Sequence, residues 1–259
     1  MSVLLKVEEL SKRFGGLQAV AGLSYEVGEG EILGIIGPNG AGKTTAVNLV
    51  SGVIEPSSGR VLLAGQDVTG LKPHLLVERG LVRTFQATTV FADQTVRENL
   101  RRGAFRQIYP GLAATLLGTG MARAARVRAE AGVDEVMAWL GLERHAGQIA
   151  RNLPYGIQKV LGMGIGLAAR PRLILLDEPV AGLSAEETDH VRDTIRQVRA
   201  RGIAVVVIDH NMRFITDLCD RALVMAQGRE LARGKPQEVL RDPVVIEAYL
   251  GKRYAKAQH

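Results

Sequence analysis

The fold is decided by the segment Gly37-Pro38-Asn39-Gly40-Ala41-Gly42-Lys43-Thr44-Thr45. An apolar run at residues 31–36 precedes it and a second apolar run at residues 46–50 follows, which predicts a strand, a glycine-rich loop and a helix. The spacing G-x-x-x-x-G-K-T is typical of loops that cradle nucleotide phosphates, because glycines let successive backbone N–H groups face one anion. We expect Lys43 to reach the β- and γ-phosphates and Thr44 to ligate Mg²⁺.

A second pattern places acidic residues at the end of a buried strand. Residues 173–176 are apolar and run directly into Asp177 and Glu178. Ligands of open α/β sheets bind outside the carboxyl ends of the strands, so we expect Asp177 to hold Mg²⁺ and Glu178 to polarise a water. His210 follows the apolar run 203–208 after Asp209. It comes 32 residues after Glu178 (210 − 178), which leaves room for one crossover helix between neighbouring parallel strands. His210 is therefore predicted beside Glu178.

Composition limits the other possibilities. The chain has 259 residues, a net charge of +6, 4% aromatic residues and one cysteine, Cys219. The single cysteine excludes an internal disulfide and a cysteine-rich metal site. The low aromatic content predicts no nucleic-acid partner, since base-stacking platforms need aromatic residues. The N-terminus does not read as a signal peptide, and the longest nearly uncharged run, 160–169, is too short to span a bilayer. We therefore expect any membrane role to depend on partner proteins.

The order of predicted elements indicates a single domain over residues 1–259 with a helical insertion at about 90–165. Short strands are predicted at 4–7, 23–27, 31–36, 60–63 and 81–85. Thr95 and Glu98 form a capping-box pattern before helices predicted at 97–107 and 121–140. The α/β alternation then resumes from residue 172, and ends with a hairpin at 221–233 and a helix at 243–250. The arginines around 101–128 are interpreted either as a solvated helical face or as a surface attracted to anionic lipid.

Together these motifs resemble the ATP-binding cassette (ABC) family, the ATPase subunits of ABC transporters. The resemblance covers essentially the whole chain and implies an α/β P-loop NTPase core with a mixed sheet, an N-terminal antiparallel β subdomain and an inserted helical subdomain. It implies that Gln86 touches Mg²⁺ and senses the membrane partner, that residues 152–158 are the signature loop and that residues 181–184 are the D-loop. The implied catalytic residues are Glu178, His210, Lys43 and Gln86, and the implied metal ligands are Thr44, Gln86 and Asp177. The implied contacts with ATP are Phe14, Val20, Gly37, Pro38, Asn39, Gly40, Ala41, Gly42, Lys43, Thr44, Thr45, Tyr155, Gly156 and Gln158.

Further segments look like the larger ATPase of branched-chain amino acid importers, at residues 13–17, 82–86, 153–156 and 245–251. Importers of urea and similar solutes share these segments. The resemblance implies transmembrane permease subunits, a second ATPase subunit in a homo- or heterodimer, and a periplasmic solute-binding protein as an indirect partner. It also implies a peripheral position at the cytoplasmic face of the inner membrane.

The signature loop departs from the family pattern at two positions. Pro154 stands where the family has a serine, and Ile157 replaces a residue that is usually polar. We predict that these changes weaken the intrinsic ATPase activity or favour an asymmetric heterodimer. The alternatives from other classes are a soluble ABC ATPase without a transport role, and a small-molecule kinase or GTPase. The sequence contains no Asn-Lys-x-Asp segment, which GTPases need to recognise guanine, and this argues against a GTPase.

Overall fold

The structure, a computed structural model, describes residues 2–84, 90–108 and 120–250. Its strands form two sheets. A four-stranded antiparallel sheet has the order β2-β1-β4-β5, and a six-stranded mixed sheet has the order β10-β9-β3-β8-β7-β6. The strands are β1 (Val3–Phe14), β2 (Leu17–Gly28), β3 (Ile32–Ile36), β4 (Ser58–Leu63), β5 (Gln66–Asp67), β6 (Leu81–Thr84), β7 (Leu173–Asp177), β8 (Ala204–Ile208), β9 (Arg221–Ala226) and β10 (Arg229–Gly234).

The helices cover both faces of the mixed sheet. They are α1 (Lys43–Val50), α2 (Pro73–Glu78), α3 (Val96–Gly103), α4 (Phe105–Ile108), α5 (Gly120–Trp139), α6 (Tyr155–Ala168), α7 (Ala185–Ala200), α8 (Met212–Leu218), α9 (Pro236–Val239) and α10 (Pro243–Leu250). Two short 3₁₀ turns, Glu143–His145 and Ala150–Asn152, join α5 to α6. Among these described helices, none is long and apolar enough to cross a membrane.

The central parallel strands divide the core into two layers. Every residue of β3, β7 and β8 is buried, as expected for parallel strands covered on both faces. Successive side chains point to opposite faces, so Leu33 and Ile35 pack with the antiparallel sheet and α1, whereas Ile32 and Ile36 pack with the helices on the other side. The phosphate loop follows β3, so it lies at the same edge of the sheet as the carboxyl ends of the parallel strands β7 and β8.

Most of the predicted elements are present, with two informative differences. β1 and β2 run much further than predicted, because they form a long antiparallel hairpin from Val3↔Gly28 to Phe14↔Leu17. The helix predicted at 97–107 is divided into α3 and α4. At Gly103 a Cβ atom would lie 2.0 Å from the carbonyl oxygen of Ile165, so α3 ends in direct backbone contact with α6. The capping box of Thr95 and Glu98 is confirmed at the start of α3.

Some arginines of the basic region, and Arg97 beside it, pair with acidic side chains. Arg101 lies 2.9 Å from Glu130 and Arg97 lies 2.6 Å from Asp134, which joins α3 to α5. Arg106 pairs with Glu78 at 2.6 Å. These contacts favour the reading of this region as a solvated helical face.

Candidate active site

The phosphate loop joins β3 to α1 in a backbone conformation that requires glycine at two positions. Gly37 has a φ of +150°, and a Cβ atom there would lie 2.1 Å from the carbonyl oxygen of Met225. Gly42 has a φ of +97°, and its Cβ would lie 2.5 Å from the carbonyl oxygen of Ala19. Gly42 is also the N-cap of α1 and supplies no side-chain cap. The first N–H groups of α1 therefore remain available to an anion at the mouth of the loop.

Lys43 is the first residue of α1 and turns back over the loop. Its ammonium donates hydrogen bonds to the carbonyl oxygens of Gly37 at 2.7 Å and Pro38 at 3.0 Å. Burial lowers the pKa of Lys43, while the negative charges of Glu178 and Asp177 act in the opposite direction. The cation is thus held at the loop and faces the acidic edge of β7.

The predicted pairing of the two strands that carry Glu178 and His210 is confirmed. β7 and β8 are parallel neighbours, with Asp177 opposite Ile208. Glu178 has a φ of +48°, an uncommon conformation for a non-glycine residue, and its N–H donates to the carbonyl oxygen of Ile208 at 2.8 Å. This turn brings Glu178 Oε1 to 3.9 Å from His210 Nδ1. Strained backbone of this kind is found where a structure fixes a functional side chain.

Asp209 lies between these strand ends and is almost completely buried. Its Oδ1 accepts a hydrogen bond from the backbone N–H of Asn211 at 2.9 Å. Burial raises the pKa of the Asp209 carboxyl, and the Asn211 N–H and the charge of His210 oppose that rise. Asp209 therefore shapes the turn that presents His210.

Asp177 is buried at the end of β7, and its Oδ2 accepts a hydrogen bond from Arg83 Nη2 at 2.8 Å. Within the described residues, no group of three or more His, Cys, Asp or Glu side chains could hold a metal by itself. One carboxylate together with the hydroxyl of Thr44 fits Mg²⁺, which takes few protein ligands and is completed by water and substrate phosphates. The donor set is therefore suited to a metal that arrives with a nucleotide.

A cleft of about 550 Å³ joins the phosphate loop to Glu178. The predicted contacts Asn39, Gly40, Ala41, Gly42, Lys43, Thr44 and Thr45 line it, and so do residues that sequence reasoning missed, namely Leu17, Gln18, Ala19, Ile208, Gln227 and Gly228. The β9–β10 turn reaches the loop because the N–H of Gly228 donates to the Ala41 carbonyl oxygen at 2.9 Å. The hairpin predicted at 221–233 contains this turn, but the sequence held no local signal that the turn meets the loop.

Two residues of the N-terminal hairpin, Val20 and Phe14, were predicted to contact ATP, and the structure places them in different surroundings. The side chain of Val20 is fully buried in the core, and the preceding β2 residues Leu17, Gln18 and Ala19 line the cleft instead. Phe14 is half-exposed at the end of the hairpin, and its Cα partner Leu17 lines the cleft. Lys12 Nζ lies 5.3 Å from the centroid of the Phe14 ring. Contact of Phe14 with a base remains a prediction.

The predicted signature residues occur at the start of α6, outside this cleft. Pro154 is the N-cap, one position before the first helical residue, and Tyr155 is exposed. The N–H of Gly156 donates to Glu187 Oε1 at 3.2 Å, and Gln158 Nε2 donates to the Leu153 carbonyl oxygen at 2.9 Å. In this chain the Glu187 carboxylate therefore engages the backbone amide of Gly156, one of the predicted contacts with ATP.

Two further residues complete the description of the site. Gln86, predicted to contact the metal, lies outside the described residues. Tyr249 of α10 approaches the phosphate loop from the C-terminal end. Burial raises the pKa of Tyr249 to about 12, opposed by the backbone N–H of Gly37.

A glycine-rich phosphate loop after β3, a carboxylate pair at the end of β7 and a cleft that joins the loop to Glu178 define a nucleotide-hydrolysing protein of the P-loop class.

Comparison with known proteins identifies the family within that class. The family model described as ABC transporter matches residues 20–181, and the model described as branched-chain amino acid ATP-binding cassette transporter matches residues 229–255. The high-affinity branched-chain amino acid transport ATP-binding protein LivG of Salmonella typhimurium is 40% identical over 253 residues, which cover 96% of this chain and 98% of that protein. The corresponding protein BraF of Pseudomonas aeruginosa is 36% identical over 250 residues, with the same two coverages.

A solved structure gives the same result. The ADP conformation of an ATP-binding cassette from an ABC transporter superposes with a TM-score of 0.85 at 29% identity, and the match covers 97% of this chain and 100% of that one. The chain belongs to the ABC transporter family, as one of its ATP-binding subunits, and is an ATPase.

Proposed function

We propose that this chain is the ATP-hydrolysing subunit of an importer for branched-chain amino acids. The cleft that joins Lys43 and the glycine loop to Glu178 carries the catalytic part of the proposal. The similarity to LivG and BraF over nearly the whole chain, together with the C-terminal family match, supports the solute class. Importers of urea or related solutes remain the alternative within the same class.

ATP enters the cleft with its phosphates at the N-terminus of α1. Lys43 exchanges its bonds with the Gly37 and Pro38 carbonyl oxygens for bonds with the phosphates, and the loop amides bind the phosphate oxygens. Thr44 and Asp177 would hold Mg²⁺, with Gln86 as a further ligand. When bound, Mg²⁺ would neutralise negative charge on the β- and γ-phosphates.

Glu178 polarises the attacking water, and His210 fixes the position of that water from the neighbouring strand. The separation of 3.9 Å between Glu178 Oε1 and His210 Nδ1 brings both groups to one point at the edge of the sheet. Because Lys43 and Glu178 line one cleft, the water and the γ-phosphate meet there. The reaction yields ADP and inorganic phosphate.

The working unit is a head-to-tail dimer. The signature residues Tyr155, Gly156 and Gln158 do not belong to the residues that line the cleft, so they serve the nucleotide of a second ATPase subunit. Binding of that nucleotide displaces Glu187 from the Gly156 N–H. Closure and reopening of the dimer then drive the transmembrane permease subunits from the cytoplasmic face of the membrane. A solute-binding protein delivers the solute to the permease on the opposite face.

The proposal is tested by Glu178→Gln, with Glu186→Gln as the matched control on an exposed glutamate. We expect the purified Glu178→Gln chain to bind ATP normally and to lose at least 100-fold in turnover, while the control retains both. In the native cells, uptake of radiolabelled leucine should fail when Glu178→Gln replaces the parental chain. Parental turnover in Glu178→Gln would refute the catalytic assignment, and lost uptake of urea with normal uptake of leucine would refute the solute class.

A further inference from the structure

A buried arginine connects the carboxylate of Asp177 to the helix that follows the phosphate loop. Arg83 lies in β6, and its side chain is only 7% exposed, as is that of Asp177. Arg83 Nη2 donates to Asp177 Oδ2 at 2.8 Å. A buried pair at this distance fixes the carboxylate oxygen that it engages, because both groups lose their water and gain a directional, charge-assisted bond.

The other end of the same guanidinium is bound to α1. Arg83 Nη1 donates to Asn48 Oδ1 and to Ser51 Oγ, the latter at 3.1 Å. The Ser51 hydroxyl gives its own proton to the Val47 carbonyl oxygen at 2.7 Å, so its lone pairs are left to accept from Arg83. The planar fork of arginine is suited to holding partners on two elements at once, whereas the ammonium of lysine is a single point charge.

Three elements of the site therefore meet at one side chain. α1 carries Lys43 and Thr44 at its N-terminus, β7 carries Asp177, and β6 carries Arg83. Since Oδ2 of Asp177 is bound to Arg83, Oδ1 is the oxygen of this carboxylate that the Arg83 bond does not engage. A shift of α1 or β6 would then change the direction of Asp177 through Arg83.

We propose that Arg83 is a positioning residue for the magnesium site: it fixes the Asp177 carboxylate relative to α1, so that Asp177 and Thr44 hold Mg²⁺ together. This inference rests on the proposed binding of Mg²⁺ with ATP. In this proposal Arg83 acts on the metal site through its bond to Asp177.

The test compares ATP affinity with and without metal, because the phosphate loop alone supports metal-free binding. Equilibrium binding of a fluorescent ATP analogue to the full-length chain is measured in roughly 5 mM EDTA and then across a Mg²⁺ titration. The comparison isolates the contribution of the metal, which binds through one or two carboxylates together with substrate phosphates. For Arg83→Gln we expect metal-free affinity within about twofold of the parent and a gain from Mg²⁺ reduced about tenfold or more. Arg172→Gln is the control, since Arg172 pairs with Glu29 at 2.7 Å on the exposed surface.

Two more variants keep the test decisive if Arg83→Gln does not fold, as judged by thermal unfolding. Arg83→Lys keeps the charge but cannot bridge both partners. Asn48→Ala keeps the pair with Asp177 and removes one of the two bonds at the α1 end, leaving the bond to Ser51. We expect both to move the Mg²⁺ midpoint to higher concentration by about threefold or more, with metal-free affinity unchanged. An unchanged or enhanced effect of Mg²⁺ in folded variants would overturn the role of Arg83. Absence of any Mg²⁺ effect in the parent would instead refute the proposed metal site.

Discussion

At the scale of single residues, the site depends on positions that admit one residue type. Gly37 admits only glycine because the carbonyl oxygen of Met225 occupies the place of a Cβ atom. Glu178 sits in left-handed backbone at the end of β7, where its N–H is tied to β8. Lys43 is held by two carbonyl oxygens of its own loop before any phosphate arrives. These constraints set the direction of each group before substrate binds, which is the condition for electrostatic catalysis.

Replacement of Lys43 tests the cation of the loop. We expect Lys43→Ala to weaken ATP binding about 100-fold, because a charge-assisted bond to phosphate is lost, and to abolish turnover. Isothermal titration with ATP measures the affinity. Lys72→Ala, at the exposed N-cap of α2, is the control and should bind as the parent does. Equal affinity of Lys43→Ala and the parent would contradict the role of Lys43.

Replacement of Gly37 tests the steric argument. We expect Gly37→Ala to displace the loop from Met225 and to lower the free energy of unfolding by about 1–3 kcal/mol, together with a loss of ATP binding. Gly147→Ala is the control, since no atom lies within 4 Å of a Cβ atom there. Denaturation in urea measures both variants. A Gly37→Ala chain as stable as Gly147→Ala would show that the loop has room for a methyl group.

At the scale of elements, capping decides where the helices around the site begin. Ser184 caps α7 and forms a reciprocal capping box with Glu187, whose backbone N–H donates to Ser184 Oγ at 3.3 Å. Glu187 also accepts from Gly156 at the start of α6. These hydrogen bonds from Ser184 and Gly156 lower the pKa of Glu187. One side chain therefore joins the start of the helix after the D-loop to the signature loop.

Removal of the cap tests this connection. We expect Ser184→Ala to reduce the free energy of unfolding by about 1 kcal/mol, whereas Ser184→Asp, which also accepts from the third residue of the helix, keeps most of it. Urea denaturation followed by far-UV circular dichroism gives both values. If the alanine and aspartate variants were equally stable, the hydroxyl of Ser184 would not be the source of the stabilisation.

At the scale of the whole molecule, the parts assigned to one nucleotide lie on different surfaces. The cleft takes residues from β2, the phosphate loop and α1, the end of β8, the turn after β7 and the β9–β10 turn. The signature residues at α6 lie outside it. A second subunit is therefore needed to complete each proposed site. In the proposed dimer, the departures at Pro154 and Ile157 would face that second subunit.

Mixing two defective chains tests the composite site. Lys43→Ala lacks a working phosphate loop, and Gly156→Asp puts a negative charge where a phosphate would bind. A head-to-tail dimer of one of each contains one intact site, so we expect the mixture to recover a measurable share of the parental ATPase activity, about a quarter if pairing is random and the two sites act independently. Each variant alone, at the same total concentration, is the control. No recovery after confirmed exchange of subunits would refute the composite site.

The sequence by itself determined the motifs whose spacing is local: the phosphate loop, the acidic pair after β7, the capping box of Thr95 and Glu98, and the order of elements that placed Glu178 and His210 on adjacent strands. The first three depend on residues within a few positions of one another. The last depends on the one crossover helix that joins two neighbouring parallel strands. Only the tertiary structure decided which distant residues meet that loop. Gln227 and Gly228 reach it, Ala19 lines the cleft where Val20 enters the core, and Arg83 joins Asp177 to Asn48. Such contacts depend on how sheets and helices pack, because burial and long-range hydrogen bonds are set by the three-dimensional arrangement and leave no periodic signal along the chain.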